Sequence, residues 1–154
     1  MAMKTLLVPV DLSDAAQPVL QKAAELAPQL SARIVLLHIV EPVATYVPVG
    51  ATMDVIAAAP PPAETTESLS APDSRLKALA EPLIAAGINV EPVTLIGLAV
   101  DDILEQAAKY RADFIMLGSH GHGALYHLFS GSVVTGILKR ATCPVIVVPS
   151  RSQT

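Results

Sequence analysis

The sequence contains no Trp and few other aromatics, with three Tyr and two Phe among its 154 residues. A core of stacked rings is thereby excluded. Because 52% of the residues are hydrophobic, the interior has to be built from Val, Ile, Leu and Ala. That composition suits a parallel sheet covered by Ala-rich helices, since such strands are buried on both faces. Cysteine is nearly absent: Cys143 stands alone and excludes an internal disulfide, which agrees with a reducing compartment. No apolar run approaches the ~18 residues of a membrane span. The start, MAMKTLLVPVDLSD, reaches an acidic residue too soon for a secretory signal. A cytoplasmic protein with no membrane insertion is therefore expected. Basic residues are also scarce, ten Lys and Arg against fourteen Asp and Glu, for a net charge of -4. They are scattered, the tightest pair being Lys139–Arg140. A nucleic-acid surface needs a basic stripe, so nucleic acid is not an expected partner.

What is present is an alternation of two periodicities. Thr5–Val10 (TLLVPV) reads as a buried first strand, followed by Asp11 and by Ser13 as a helix cap with Asp14 at the positive end. Apolar residues at Val19, Leu20, Ala23, Leu26, Ala27 and Leu30 then repeat at helical spacing, with Pro18 awkwardly placed beyond the first turn. Arg33–Val40 is the second strand. Residues 42–71, rich in Pro and Ala, read as a long mobile connection, either a tolerated surface insertion or a lid or partner-binding segment. Asp73–Ala86 is a helix with Leu76, Leu79, Leu83 and Ile84 inward, kinked or broken at Pro82 and ended by Gly87. Ile88–Ile96 is a third strand, which Pro92 assigns to a sheet edge or an irregularity. A helix beginning at Asp101 or Asp102 points Ile103, Leu104, Ala107 and Ala108 inward. Phe114–Leu117 is strand four, Ser132–Arg140 a short helix and Pro144–Val148 strand five. This order predicts one domain over residues 1–150, with a polar tail at 151–154. Its fold class is α/β: a doubly wound five-stranded parallel sheet with helices on both faces. Ligands of such folds gather at the carboxyl ends of the strands, near the switch in strand order.

The most distinctive segment is Gly118-Ser-His-Gly121, nine residues, then Gly131-Ser132. Gly118 ends a buried strand, and the following glycines let several N–H groups point at one anion. Gly131 and Ser132 open a helix whose free N–H groups and positive end favour phosphate. Two separated N–H clusters suit a di- or triphosphate. On spacing alone the same glycines are equally well read as turn formers beside a helix cap. Neither the G-x-x-x-x-G-K-[ST] loop nor a G-x-G-x-x-G after strand one occurs, so the P-loop and dinucleotide schemes do not apply.

Lys4-Thr-Leu-Leu-Val-Pro-Val-Asp11, Leu36-Leu-His-Ile-Val40, Leu117-Gly-Ser-His-Gly121, Gly131-Ser-Val133 and Cys143-Pro-Val-Ile-Val-Val148 resemble the universal stress protein A-type superfamily, in its ATP-binding branch. The resemblance spans nearly the whole chain outside the Pro-rich connection. It implies a Rossmann-like fold of the adenine nucleotide alpha hydrolase type, a homodimer and a role in stress response or regulation. It further implies ATP, with ADP or AMP as the alternatives, and a Mg or Mn ion bridging phosphate oxygens. Carried over by position, Pro9 and Asp11 end strand one, with Asp11 near adenine and ribose, and Ile39 lines the adenine pocket. Leu117 and Gly118 flank the ribose and first phosphate, while Gly121, Gly131, Ser132 and Val133 surround the phosphates. One departure bears on the ligand. The residues between Gly121 and Gly131, HGALYHLFS, offer His122 and His127 where relatives often place Arg or Lys, which leaves room for a mono- or diphosphate.

The remaining chemistry-bearing residues have bland readings. His120, His122 and His127 lack the convergent spacing of a zinc site, and His120 serves to hold the loop. His38 sits in a buried strand as a satisfied structural histidine, and Cys143 reads as a small buried hydrophobe. Hydrolysis needs a base placed on the attacking water, and Asp11 is the only carboxylate in the expected pocket. Turnover is therefore expected to be slow or absent, so no catalytic residue and no protein metal ligand are assigned. A weak ATP hydrolase or autophosphorylating protein, and a nucleotide-free interaction module, remain as alternatives. The apolar last strand, Val145–Val148, is expected to pair with a second copy at the sheet edge, and a regulated protein is a further possible partner.

Overall fold

The computed structural model describes residues 2–42, 66–119 and 132–149. In chain order they form β1 (Lys4–Pro9), α1 (Ala16–Leu30), β2 (Ala32–Val40), α2 (Thr66–Ala85) and β3 (Val90–Ile96). There follow α3 (Ala99–Lys109), β4 (Phe114–Gly118), α4 (Ser132–Arg140) and β5 (Val145–Val148). All strand pairings are parallel, in the order β3-β2-β1-β4-β5. The chain thus builds outward from β1 to β3, crosses back, and builds outward again through β4 and β5. The switch in direction falls between β1 and β4.

Both faces of the sheet are covered, as the continuous apolar runs require. Leu6 and Val8 of β1 face α1 and α2 together with Ile34, Leu36 and Met116. Leu7, between them, faces α3 and α4 with Val35, Leu37, Ile115 and Ile137. Small residues at Ala16, Ala23 and Ala27 let α1 lie close on the sheet. Edge positions also follow from the residues. Pro92 lies in β3, which pairs with β2 alone, so its missing N–H costs no ladder bond on the open side.

Several boundaries differ from the periodicity. α1 starts at Ala16, with Ala15 at the N-cap and no side-chain cap, so Ser13 is not the cap. Pro18 then falls in the first turn, where its missing donor is harmless. Helix α2 begins at Thr66 and runs through Pro72 and Pro82 without ending. Each Pro removes one helical hydrogen bond, but burial of Leu76, Ala80 and Leu83 holds the helix down. Ile84, expected inward, is 51% exposed. The rest of the Pro-rich connection, 43–65, and the tail lie outside the described residues. Gly87 ends α2 with φ 82°, and Ile88 N–H bonds the Leu83 carbonyl. Helix α3 starts at Ala99, earlier than Asp101, because Asp102 reaches back to accept the Leu98 N–H at 2.6 Å. A Cβ on Gly97 would meet Asp102 Oδ2 at 1.9 Å, so that capping contact requires glycine. Ala108, also expected inward, is exposed.

Candidate functional site

A cleft lies at the switch point. Pro9, Val10 and Asp11 from the end of β1 form one wall, and Leu117 and Gly118 from the end of β4 the next. Ala15, Ala16 and Val19 enter from the start of α1, Val133 and Val134 from the start of α4, and Ile103 from α3. The described residues enclose about 40 Å3, room for a few waters, so they make the floor of a cleft rather than a closed chamber. Two helices of at least nine residues begin here. The positive ends of both helices favour an anion, although at α1 the Ala16 and Gln17 N–H groups already bond the Ser13 and Asp14 carbonyls and Pro18 has none. Asp11 is the only ionisable side chain among the described lining residues.

The turn from β1 into α1 is fixed by side chains. Asp11 Oδ1 accepts the Ser13 N–H at 3.0 Å and the Ser13 hydroxyl at 2.6 Å. Ser13 Oγ in turn accepts the Ala15 N–H at 3.2 Å. Ser13 therefore shapes the turn instead of capping the helix. Leu12 between them has φ 62°, a left-handed conformation that a branched side chain adopts at a cost. On β2, His38 Nδ1 lies 2.8 Å from the Val10 carbonyl oxygen. That oxygen only accepts, so Nδ1 carries the proton. Burial pushes the His38 pKa below its ordinary 6.5, against the opposing pulls of the Val10 hydrogen bond and Asp11. The histidine is thus satisfied in place, as its position in a buried strand implied. Across the cleft, the Ser119 N–H bonds the Val148 carbonyl at 2.8 Å and prolongs the β4–β5 pairing past Gly118.

Of the residues singled out from sequence, Pro9, Asp11, Leu117, Gly118 and Val133 line this one cleft. Ile39 does not. It is 7% exposed and packs with Val35, Leu37 and Ile103 beneath α3 and α4. Ser132 opens α4, and Gly121 and Gly131 lie outside the described residues, as do His120, His122 and His127. Val10, Ala15, Ala16, Val19, Ile103 and Val134 are lining residues that sequence reasoning missed. Their apolar type marks them as core, and only their place at strand ends and helix starts signals the cleft. Cys143 packs partly buried against the α3–α4 side of the core, where burial raises its pKa. Among the described residues, no group of three or more His, Cys, Asp or Glu could hold a metal ion, and no helix is long and apolar enough to cross a membrane.

Comparison with known proteins gives the same picture. The profile of the universal stress protein family matches residues 3–149. Universal stress protein A homolog 1 of Coxiella burnetii is 33% identical over 152 residues, covering 94% of this chain and 95% of that protein. A universal stress protein solved in complex with cAMP has a TM-score of 0.69 at 20% identity, over 98% of this chain and 100% of its own. The Archaeoglobus fulgidus universal stress protein in complex with dAMP has a TM-score of 0.65 at 21% identity, over 96% and 98%. At such identities the two structures show the shared fold. With the family profile running from the start of β1 to the end of β5, the chain belongs to the universal stress protein family.

Proposed function

We propose that this chain binds an adenine nucleotide, ATP with ADP or AMP as alternatives, and acts in the cytoplasm as a stress-response or regulatory homodimer. The observation that carries the reading is the cleft at the β1–β4 switch point. It brings Asp11, Leu117, Gly118 and Val133 together at the starts of α1 and α4. In the sequence, Gly118 leads directly into the Gly121…Gly131-Ser132 pattern. The relatives solved with cAMP and dAMP add support, since both ligands carry adenine and phosphate.

In this reading Asp11 orients the nucleoside. Its Oδ1 is engaged by Ser13, and its second oxygen serves as a hydrogen-bond acceptor for base or ribose. The apolar floor of Val10, Ala16, Val19 and Val133 takes the ring. The start of α4, with Gly121, Gly131 and Ser132, neutralises phosphate through N–H groups. Ile39 contributes through the strand end it occupies rather than through a side chain in the cleft. A Mg or Mn ion, were it to accompany the nucleotide, would neutralise phosphate charge, since the described residues hold no cluster of ligands for it. Hydrolysis is slow, because the one carboxylate lining the described cleft is held at the nucleoside end. The second copy pairs along β5, a sheet edge on which Val147 is 38% exposed.

Calorimetric titration with ATP, ADP and AMP, with and without Mg, tests the reading. Binding with Kd on the order of micromolar, lost in Gly121→Val, is the expected result. No binding up to ~1 mM ligand, by folded protein stripped of nucleotide, overturns it.

A further inference from the structure

Two side chains outside the cleft hold the carbonyls of the residues on either side of Asp11. The His38 ring donates to the Val10 carbonyl at 2.8 Å, and the Arg75 guanidinium of α2 donates to the Leu12 carbonyl at 2.9 Å. Neither residue lines the cleft. The turn they grip contains Leu12 at φ 62°. A non-glycine residue persists there only where its surroundings over-determine it. Helix α2 is itself tied to the sheet two residues from Arg75: Thr94 Oγ1 of β3 donates to Asp73 Oδ1 at 3.3 Å, and Lys77, on the same helix, pairs with Asp73 at 2.6 Å. His38 and Thr94 are register partners, so the imidazole and this anchor share one sheet face. A chain of contacts thus runs from β3 through α2 to the Leu12 carbonyl, spanning 63 residues of sequence in the Arg75–Leu12 bond alone, while β2 supplies the His38 that holds the Val10 carbonyl.

We propose that His38 and Arg75 are positioning residues for the ligand: by clamping the Val10 and Leu12 carbonyls they fix where Asp11 presents its carboxylate to the nucleoside. The inference rests on the nucleotide reading above. Two features separate a positioning role from a purely stabilising one. The clamp acts on the nucleoside end alone, so its loss weakens AMP, ADP and ATP by one common factor and leaves their affinity ratios unchanged. Its chemistry is also replaceable, because the side-chain amide of Asn places an N–H where His Nδ1 donates.

The experiment compares full-length wild type with Arg75→Ala, His38→Leu and His38→Asn. AMP, ADP and ATP affinities are measured by calorimetry, and amide hydrogen exchange at Ser13 and Ala15 is followed in ligand-free protein. Arg75 is exposed, so Arg75→Ala is expected to fold even if His38→Leu does not. Losing one such hydrogen bond is expected to weaken all three nucleotides alike, by about 3- to 10-fold. Exchange at Ser13 and Ala15 accelerates, and His38→Asn restores affinity to near wild type. Faster exchange with unchanged affinities overturns the inference, since the clamp would then be structural only. A loss confined to ATP also overturns it, since Arg75 would then be acting on phosphate. Wild-type protein that binds no nucleotide overturns the nucleotide reading and this inference with it, which is distinct from wild-type binding that the variants leave intact.

Discussion

The two ends of the sheet use polar side chains in opposite ways. At the amino ends, side chains tie to one another. Arg33 donates to Thr5 Oγ1 and to Glu91, Tyr110 donates to the other Glu91 oxygen, and Arg33 lies over the Tyr110 ring. Asp113 accepts the Thr5 N–H at 2.8 Å and closes the group. Three strands and the end of α3 are joined, although the chain turns here too through left-handed residues, Ser31 at φ 52° and Arg111 at φ 50°. At the carboxyl ends, beside the Ser13–Asp11 and Thr94–Asp73 pairs, two side chains hold main-chain carbonyls, and the backbone they hold is left-handed at Leu12. The first arrangement ties neighbouring strands together; the second fixes the turn that carries Asp11. That division is what a ligand at the switch point requires.

The comparison breaks or sharpens under substitution at either end. Asp11→Ala is expected to have the largest effect, lowering nucleotide affinity by about 10- to 100-fold through loss of a charged acceptor. Titration of the variant checks this, while its thermal unfolding shifts only by the lost Ser13 contacts. Arg33→Ala is expected to cost about 1 kcal/mol of stability, because its ion pair is partly exposed and worth little alone. Its nucleotide affinity stays at the wild-type value. Chemical denaturation and calorimetry on the same sample separate the two readouts.

A smaller effect concerns pH. The folded-state pKa of His38 is lowered, chiefly by burial. In the folded protein the ring resists protonation, whereas the unfolded chain takes the proton at the ordinary 6.5. The associated stability is therefore fully present above that pH and is lost as pH falls through the lowered folded value. Unfolding followed from about pH 7.5 down to about pH 5.5 is expected to show this decline in wild type and a flatter profile in His38→Asn. An unchanged slope contradicts the assignment. The smallest effect is Asp101→Asn. It removes an exposed pair with Arg140, both side chains more than half exposed, and is expected to change stability by less than about 0.5 kcal/mol.

The succession of strands and helices and the layers they form were legible because continuous apolar runs such as Ile34-Val-Leu-Leu37 alternate with spaced ones such as Val19, Leu20 and Ala23. The cleft was legible at Asp11, Leu117 and Gly118 because motif and strand end coincide there. Three things were not. Ser13 satisfies the sequence pattern of a cap as well as that of a turn, and only the left-handed Leu12 decides between them. The start of α2, Thr66–Ala71, holds one large apolar residue, Leu69, and is followed by Pro72, so a helical repeat with Leu76 was hidden there. Arg75 is an exposed charge on a helix, and nothing in its neighbours announces a carbonyl 63 residues away.

Everything proposed for this chain turns on a ligand seated where β1 and β4 part. Backbone amide shifts of isotope-labelled protein titrated with AMP test it most directly. The amides of Val10, Asp11, Leu117, Gly118 and Val133 are expected to move together, while those of Arg33, Glu91 and Tyr110 stay still. Shifts centred on the amino ends of the strands, or no saturable shift at all, would contradict it.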